Sequence, residues 1–195
     1  ARPTPDRPPS RAEPHRDWHR LPAAHDRAGW WRGQNGAVGD DRRLHAEVRG
    51  VGPRVVLVHG FTQTRRSWAQ VADDLAADHE VVLVDAPGHG GSGQVEANLA
   101  AGAALLGEVG GHATYVGYSM GGRLVLRLAL DRPDLTRGLV LLGATAGIDD
   151  PTERAARRQG DEDLASDIER DGVDAFLTRW LAQPLFADLR PDPDD

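Results

Sequence analysis

The sequence predicts an α/β fold, a doubly wound and mostly parallel sheet. Three observations carry this. Short β-branched runs such as "RVVLVHG" (54–60) and "VVLVDAPG" (81–88) read as strands buried on both faces. Single helical periods separate these runs, the pattern of right-handed βαβ units. His59, Asp85, Ser119 and Gly143 fall at the carboxyl ends of the runs, where such sheets bind ligands.

The elements follow in order. Residues 1–42 are rich in Pro, Arg and His, show neither a helical nor a strand period, and are expected to be a disordered or spurious N-terminal extension. From residue 43 the texture changes. "RLHAEVRG" (43–50) alternates and reads as an edge strand. The first buried strand (54–60) is followed by a helical period over 67–80, with Trp68, Val71, Leu75 and Ala76 on one face. The second strand, from 81, runs into a Gly-rich loop ending near 93, and a helix covers 96–110. "ATYVGYS" (113–119) is a third strand, and the helix from 120 is stopped by Pro133. "RGLVLLGAT" (137–145) is a fourth strand. Residues 43–148 thus form a core. Residues 149–195 read as a cap region, with several short amphipathic helices over 149–189 and a polar stub after them, opened by an Asp150 N-cap with Pro151 behind it and broken at Gly172.

The 195 residues suit one domain or most of one, enough to bury a real core. A net charge of -7 with no broad basic face gives no reason to expect a nucleic-acid partner. The chain has no cysteine, hence no disulfide framework, thiolate metal site or cysteine nucleophile. No apolar run approaches the ~18 residues of a membrane span, and the N-terminus has no secretory h-region. A cytoplasmic location is the default expectation.

The chemistry centres on "GYSMG" (117–121), a G-x-S-x-G pentapeptide where an apolar strand meets a helix. Glycines at 117 and 121 allow a sharp turn that lifts the Ser119 hydroxyl above the sheet. The ordinary alternative is an N-cap serine. "HGFTQT" (59–64) follows the first buried strand and can turn the Phe61 amide toward Ser119. With the Met120 amide it would form an oxyanion hole. His59 reads as a structural residue that packs the turn. Asp85 and His89 read as parts of a polar rim loop, not as an acid and a base.

Arg123 lies one turn after Ser119 on the following helix, and Arg157 lies in the cap. Guanidinium groups grip carboxylates in bidentate fashion, so two arginines near a serine site suggest a small carboxylate substrate. A solvated helix face is the other reading of Arg157. Phe176 and Trp180 are expected to pack the cap.

Together these residues resemble the α/β-hydrolase fold. "VLVHGFTQTRRSW", "VDAPGHGGS", "VGYSMGGRL" and the cap string ending "WLAQPLFADL" resemble one branch of it, the 2-succinyl-6-hydroxy-2,4-cyclohexadiene-1-carboxylate synthase family of menaquinone biosynthesis. The likeness covers roughly residues 44–190. It implies a lyase that eliminates pyruvate from a polycarboxylate cyclohexene intermediate, with neither a metal nor an organic cofactor. It implies that Ser119 takes the proton once a histidine activates it. It also implies that Tyr118, Arg123, Arg157 and Trp180 bind substrate.

One part of the pattern is missing. Triad partners in this fold follow in the order Ser, then Asp or Glu, then His. Here the last histidine is His112, before Ser119. The expectation is a fragment whose acid, base and last strands lie beyond Asp195, with weak or no turnover of its own. A truncated serine esterase of the same fold, or a non-catalytic module that binds carboxylates, are the alternatives. Oligomeric state is left open.

Overall fold

The computed structural model describes residues 43–186 of the chain. The expectation for residues 1–42 lies outside the described residues. Five strands form one sheet: β1 (Ala46–Arg49), β2 (Arg54–Val58), β3 (Glu80–Val84), β4 (Ala113–Tyr118) and β5 (Thr136–Leu142). Their spatial order is β1-β3-β2-β4-β5. β1 pairs antiparallel to β3, Ala46 opposite Val84, and every other pairing is parallel. The sheet is therefore mostly parallel, as the sequence predicts, and its edge strand β1 runs antiparallel.

The helices are α1 (Ala69–Leu75), α2 (Leu99–Gly110), α3 (Met120–Asp131), α4 (Pro151–Asp171) and α5 (Val173–Leu181). The side-chain alternation of β2 and β3 explains their continuous apolar runs. Val56, Val58, Val82 and Val84 point to one face, where Ala103 and Leu106 of α2 and Leu124, Val125 and Leu128 of α3 cover them. Val55, Leu57, Val81 and Leu83 point to the other, against Ala72 of α1 and Trp68. Both faces of the central strands are dry, which polar residues could not satisfy without partners.

β5 differs. Val140, Leu141 and Leu142 are all exposed, because β5 is paired only with β4 and little packs over it among the described residues.

Chain direction sets the site. After β3 the chain returns across β2 to lay down β4, so the strand order reverses between β2 and β4. A crevice at the carboxyl ends of these two strands is where a doubly wound sheet accepts a ligand.

The cap departs from expectation in one respect. Residues 151–171 form a single helix of 21 residues, not several short ones, and no side chain in it is buried. Its start is as expected. The Asp150 carboxylate accepts from the amides of Thr152 and Glu153 at 2.8 and 2.9 Å, with Pro151 at the first helical position. Gly172, at φ +82°, ends it and opens α5. Among the described residues no helix is long and apolar enough to cross a membrane.

Candidate active site

Ser119 occupies the single residue between β4 and α3, at φ +50° and ψ −107°. A side chain in that conformation is strained, and such strain persists only where the surroundings over-determine it. The surroundings here are two close backbone approaches. A Cβ on Gly117 would stand 2.5 Å from the Gly121 carbonyl oxygen, and one on Gly121 would stand 2.3 Å from the Val58 oxygen. Only glycine fits at either position, and the turn is pressed against the end of β2. The Ser119 amide donates to Leu142 O at 2.8 Å, tying the turn to β5 as well. The Ser119 side chain caps nothing in α3. An ordinary N-cap serine is therefore excluded.

The loop after β2 meets this turn. A Cβ on Gly60 would lie 2.8 Å from the Tyr118 ring, so the ring packs directly on the loop backbone. His59 is fully buried. Its Nδ1–H donates to Gly60 O at 2.7 Å, and its Nε2 accepts from the Ala86 amide at 3.0 Å. That pattern requires the neutral ring. Burial lowers the His59 pKa, the Gly60 carbonyl opposes the shift, and nearby His89 reinforces it. His59 thus clamps the β2 loop to the β3 loop, the structural role its sequence position suggests. Gly60 donates to Gln63 Oε1 at 2.9 Å, and Thr62 completes the turn at φ +64°. Among the described residues the amides of Phe61 and Met120 have no acceptor.

Asp85 is committed elsewhere. Its buried carboxylate accepts from the Arg65 amide at 2.7 Å, the Arg65 guanidinium at 2.8 Å and the Gly91 amide at 2.9 Å. Burial alone would raise its pKa, but these donors together hold it below the ordinary carboxylate range. A Cβ on Gly90 would meet the Asp85 carboxyl at 2.6 Å, which explains the glycine. His89 donates from Nδ1 to Pro87 O at 2.9 Å, and its ring lies 5.3 Å from that of His59 and 5.9 Å from that of Phe61. Both residues build the rim loop, in keeping with their sequence reading.

The cap reaches this loop through aromatic rings. Phe61 contacts Phe176 at 5.9 Å and Trp180 at 5.6 Å, the latter edge-to-face, and Trp180 also meets Phe186. The Trp180 indole N–H is buried with no acceptor among the described residues.

The arginines lie apart from this cluster. Arg123 and Arg157 line a cleft of about 750 Å³ between α3 and α4 whose walls include neither Ser119, Tyr118 nor Trp180. Arg157 is moreover paired along its own helix, Nε to Asp161 Oδ1 at 2.8 Å. The sequence-predicted residues therefore form two groups. Ser119, Tyr118 and Met120 lie at the end of β4, the Tyr118 ring packs on Gly60, and Phe61 follows in that loop with Trp180 against it. Arg123, one turn after Ser119 on α3, and Arg157 on α4 line one cleft. Arg158, in the same cleft, escaped the sequence reading, although its position beside Arg157 was visible. Among the described residues no group of His, Asp or Glu side chains is placed to hold a metal ion.

A parallel sheet with helices on both faces, and a strained serine at its topological switch point, define an α/β-hydrolase architecture. The profile of the alpha/beta hydrolase family matches residues 55–195, and the chain belongs to that family. Within it, the chain is similar to 2-succinyl-6-hydroxy-2,4-cyclohexadiene-1-carboxylate synthase of Klebsiella pneumoniae, at 34% identity over 143 residues. That alignment covers 70% of this chain and 56% of the relative. The structure of MenH from S. aureus matches with a TM-score of 0.62 at 26% identity, over 73% of this chain and 58% of that one. A thermophilic esterase from Thermogutta terrifontis, with malate bound, matches with a TM-score of 0.57 at 31% identity, over 66% of this chain and 49% of that one. The chain spans about half the length of the curated relatives it matches.

Proposed function

We propose that the protein is a lyase of the α/β-hydrolase fold that eliminates pyruvate from a polycarboxylate cyclohexene intermediate, yielding 2-succinyl-6-hydroxy-2,4-cyclohexadiene-1-carboxylate. The observation that carries this reading is the strained Ser119 turn at the switch point, in a chain whose relatives bear that enzyme's name. In this reading residues 43–148 are the catalytic core and residues 149–195 the cap. Ser119 Oγ, deprotonated by a histidine, takes a proton from carbon. The C–O bond to the enolpyruvyl group then breaks, and the departing enolate gains a proton to become pyruvate. The Phe61 and Met120 amides, both without acceptors, are free to hold the developing negative charge. Tyr118 and Trp180 shape the pocket, and Arg123 and Arg157 bind carboxylates.

No histidine follows Ser119 in these residues, His59 is tied up in the loop clamp, and His89 is turned to Pro87. The esterase likeness favours a second reading, ester hydrolysis by the same serine. The two are separated by assaying the full-length protein for pyruvate release and for hydrolysis of a p-nitrophenyl ester. Efficient pyruvate release supports the lyase. Ester hydrolysis without pyruvate release overturns it. Residues 1–195 alone are expected to show only residual activity, since loss of triad members leaves little beyond binding and oxyanion stabilisation.

A further inference from the structure

The cleft between α3 and α4 is lined by five arginines, Arg123, Arg127, Arg154, Arg157 and Arg158. Asp161 and Glu162 are the acidic residues in its walls. In a chain of net charge -7 this is a local surplus of cation. Its walls also carry Leu126, Leu130 and Ile148, so it offers apolar surface beside the charge.

Three of the five guanidiniums are engaged. Arg127 bonds Asp131 at 2.6 Å, Arg157 bonds Asp161 at 2.8 Å, and Arg154 donates to Ile148 O at 2.7 Å. Arg123 and Arg158 have no acceptor among the described residues, and Glu162, one turn beyond Arg158, does not bond it. The two free groups stand on facing elements, Arg123 on α3 and Arg158 on α4. An anion that recruits Arg157 must displace Asp161. One that recruits Arg158 displaces only water, so Arg158 is the less costly cap-side partner.

We propose that Arg158 is a ligand-binding residue of this cleft, gripping one carboxylate of a small oligocarboxylate while Arg123 grips another. The apolar body of the ligand lies against Leu126, Leu130 and Ile148. This assignment rests on the reading of the protein as acting on a polycarboxylate, and it adds a guanidinium to the Arg123 and Arg157 pair. Replacing Arg158 removes no hydrogen bond or ion pair among the described residues, and circular dichroism and the melting temperature of Arg158→Gln check that the fold is kept.

The test is calorimetric titration of the full-length protein at low ionic strength with propane-1,2,3-tricarboxylate, and with acetate and inorganic pyrophosphate as controls. Arg158→Gln is expected to weaken tricarboxylate binding about tenfold or more, the loss of one charge-assisted bidentate contact. Arg158→Lys is expected to recover part of it, since the charge stays and the planar fork is lost. Acetate binding should not respond to Arg158→Gln. A tricarboxylate affinity for Arg158→Gln within about twofold of the parent overturns the assignment. Pyrophosphate binding tighter than the tricarboxylate overturns the ligand class. Ser119→Ala is expected to keep the tricarboxylate affinity, which separates this proposal from the catalytic one. An Arg158 effect without any pyruvate release leaves the subsite standing and sinks the lyase. Pyruvate release whose KM is unmoved by Arg158→Gln does the reverse.

Discussion

At the scale of single residues, Ser119 and His59 carry the sharpest expectations. Ser119 holds a positive φ that glycine adopts freely. Ser119→Gly is therefore expected to stabilise the fold by about 1 kcal/mol, relief of strain outweighing the added chain entropy. Chemical denaturation of the two proteins measures this, and a clear loss of stability would show that the turn is not strained. His59 is neutral in the fold, its pKa lowered by burial. Below the unfolded value of about 6.5 the unfolded chain takes up a proton that the folded chain refuses. The His59 contribution is thus complete above that pH and is lost as pH falls toward the folded pKa. Asp85, also lowered, acts in a lower window, complete above the unfolded value of about 3.9 and lost below it. His59→Gln should flatten the stability profile as pH falls below about 6.5. Unfolding curves that stay parallel to the parent's would contradict this. The Ser119 turn was legible in the sequence because its strand, glycines and helix are contiguous. The His59 bond to Ala86 was not, since it joins residues 27 apart and depends on how β2 and β3 pair.

The elements divide along the same line. β2 and β3 were readable because burial on both faces demands unbroken apolar runs, whereas β4 alternates buried with half-buried residues and showed itself by that period. β5 looked like β2 and β3 in sequence, yet Val140, Leu141 and Leu142 are exposed, because a β-branched run records its propensity and not what covers it. The cap was read as short helices because its apolar residues keep no long period. α4 is nonetheless continuous for 21 residues with no buried side chain, held by its N-cap and by i,i+4 pairs such as Arg157–Asp161 and Gln159–Asp163. A helix so little supported by packing depends on its ends. Asp150→Ala should cost α4 about 1 kcal/mol. Hydrogen exchange is expected to show faster opening of residues 151–160, with the β2 amides unchanged. Equal protection in both proteins would mean that α4 is held by something other than its cap.

Across the whole molecule, a serine turn sits at the switch point, Phe176 and Trp180 lie against Phe61 of the adjoining loop, and a cationic cleft opens between α3 and α4. The three exposed apolar residues of β5 add a hazard, since an edge strand with unpaired backbone groups invites association. Residues 1–195 alone are expected to self-associate as concentration rises, and Val140→Lys to reduce it. Light scattering that is flat with concentration would count against an open edge. The central claim is that Ser119 takes the proton in a pyruvate elimination. Its most direct test is the rate of pyruvate release by the full-length protein and its Ser119→Gly variant. The rate is expected to fall by roughly 10³-fold or more in the variant while the fold holds or gains stability. A variant that releases pyruvate at the parent's rate would contradict it.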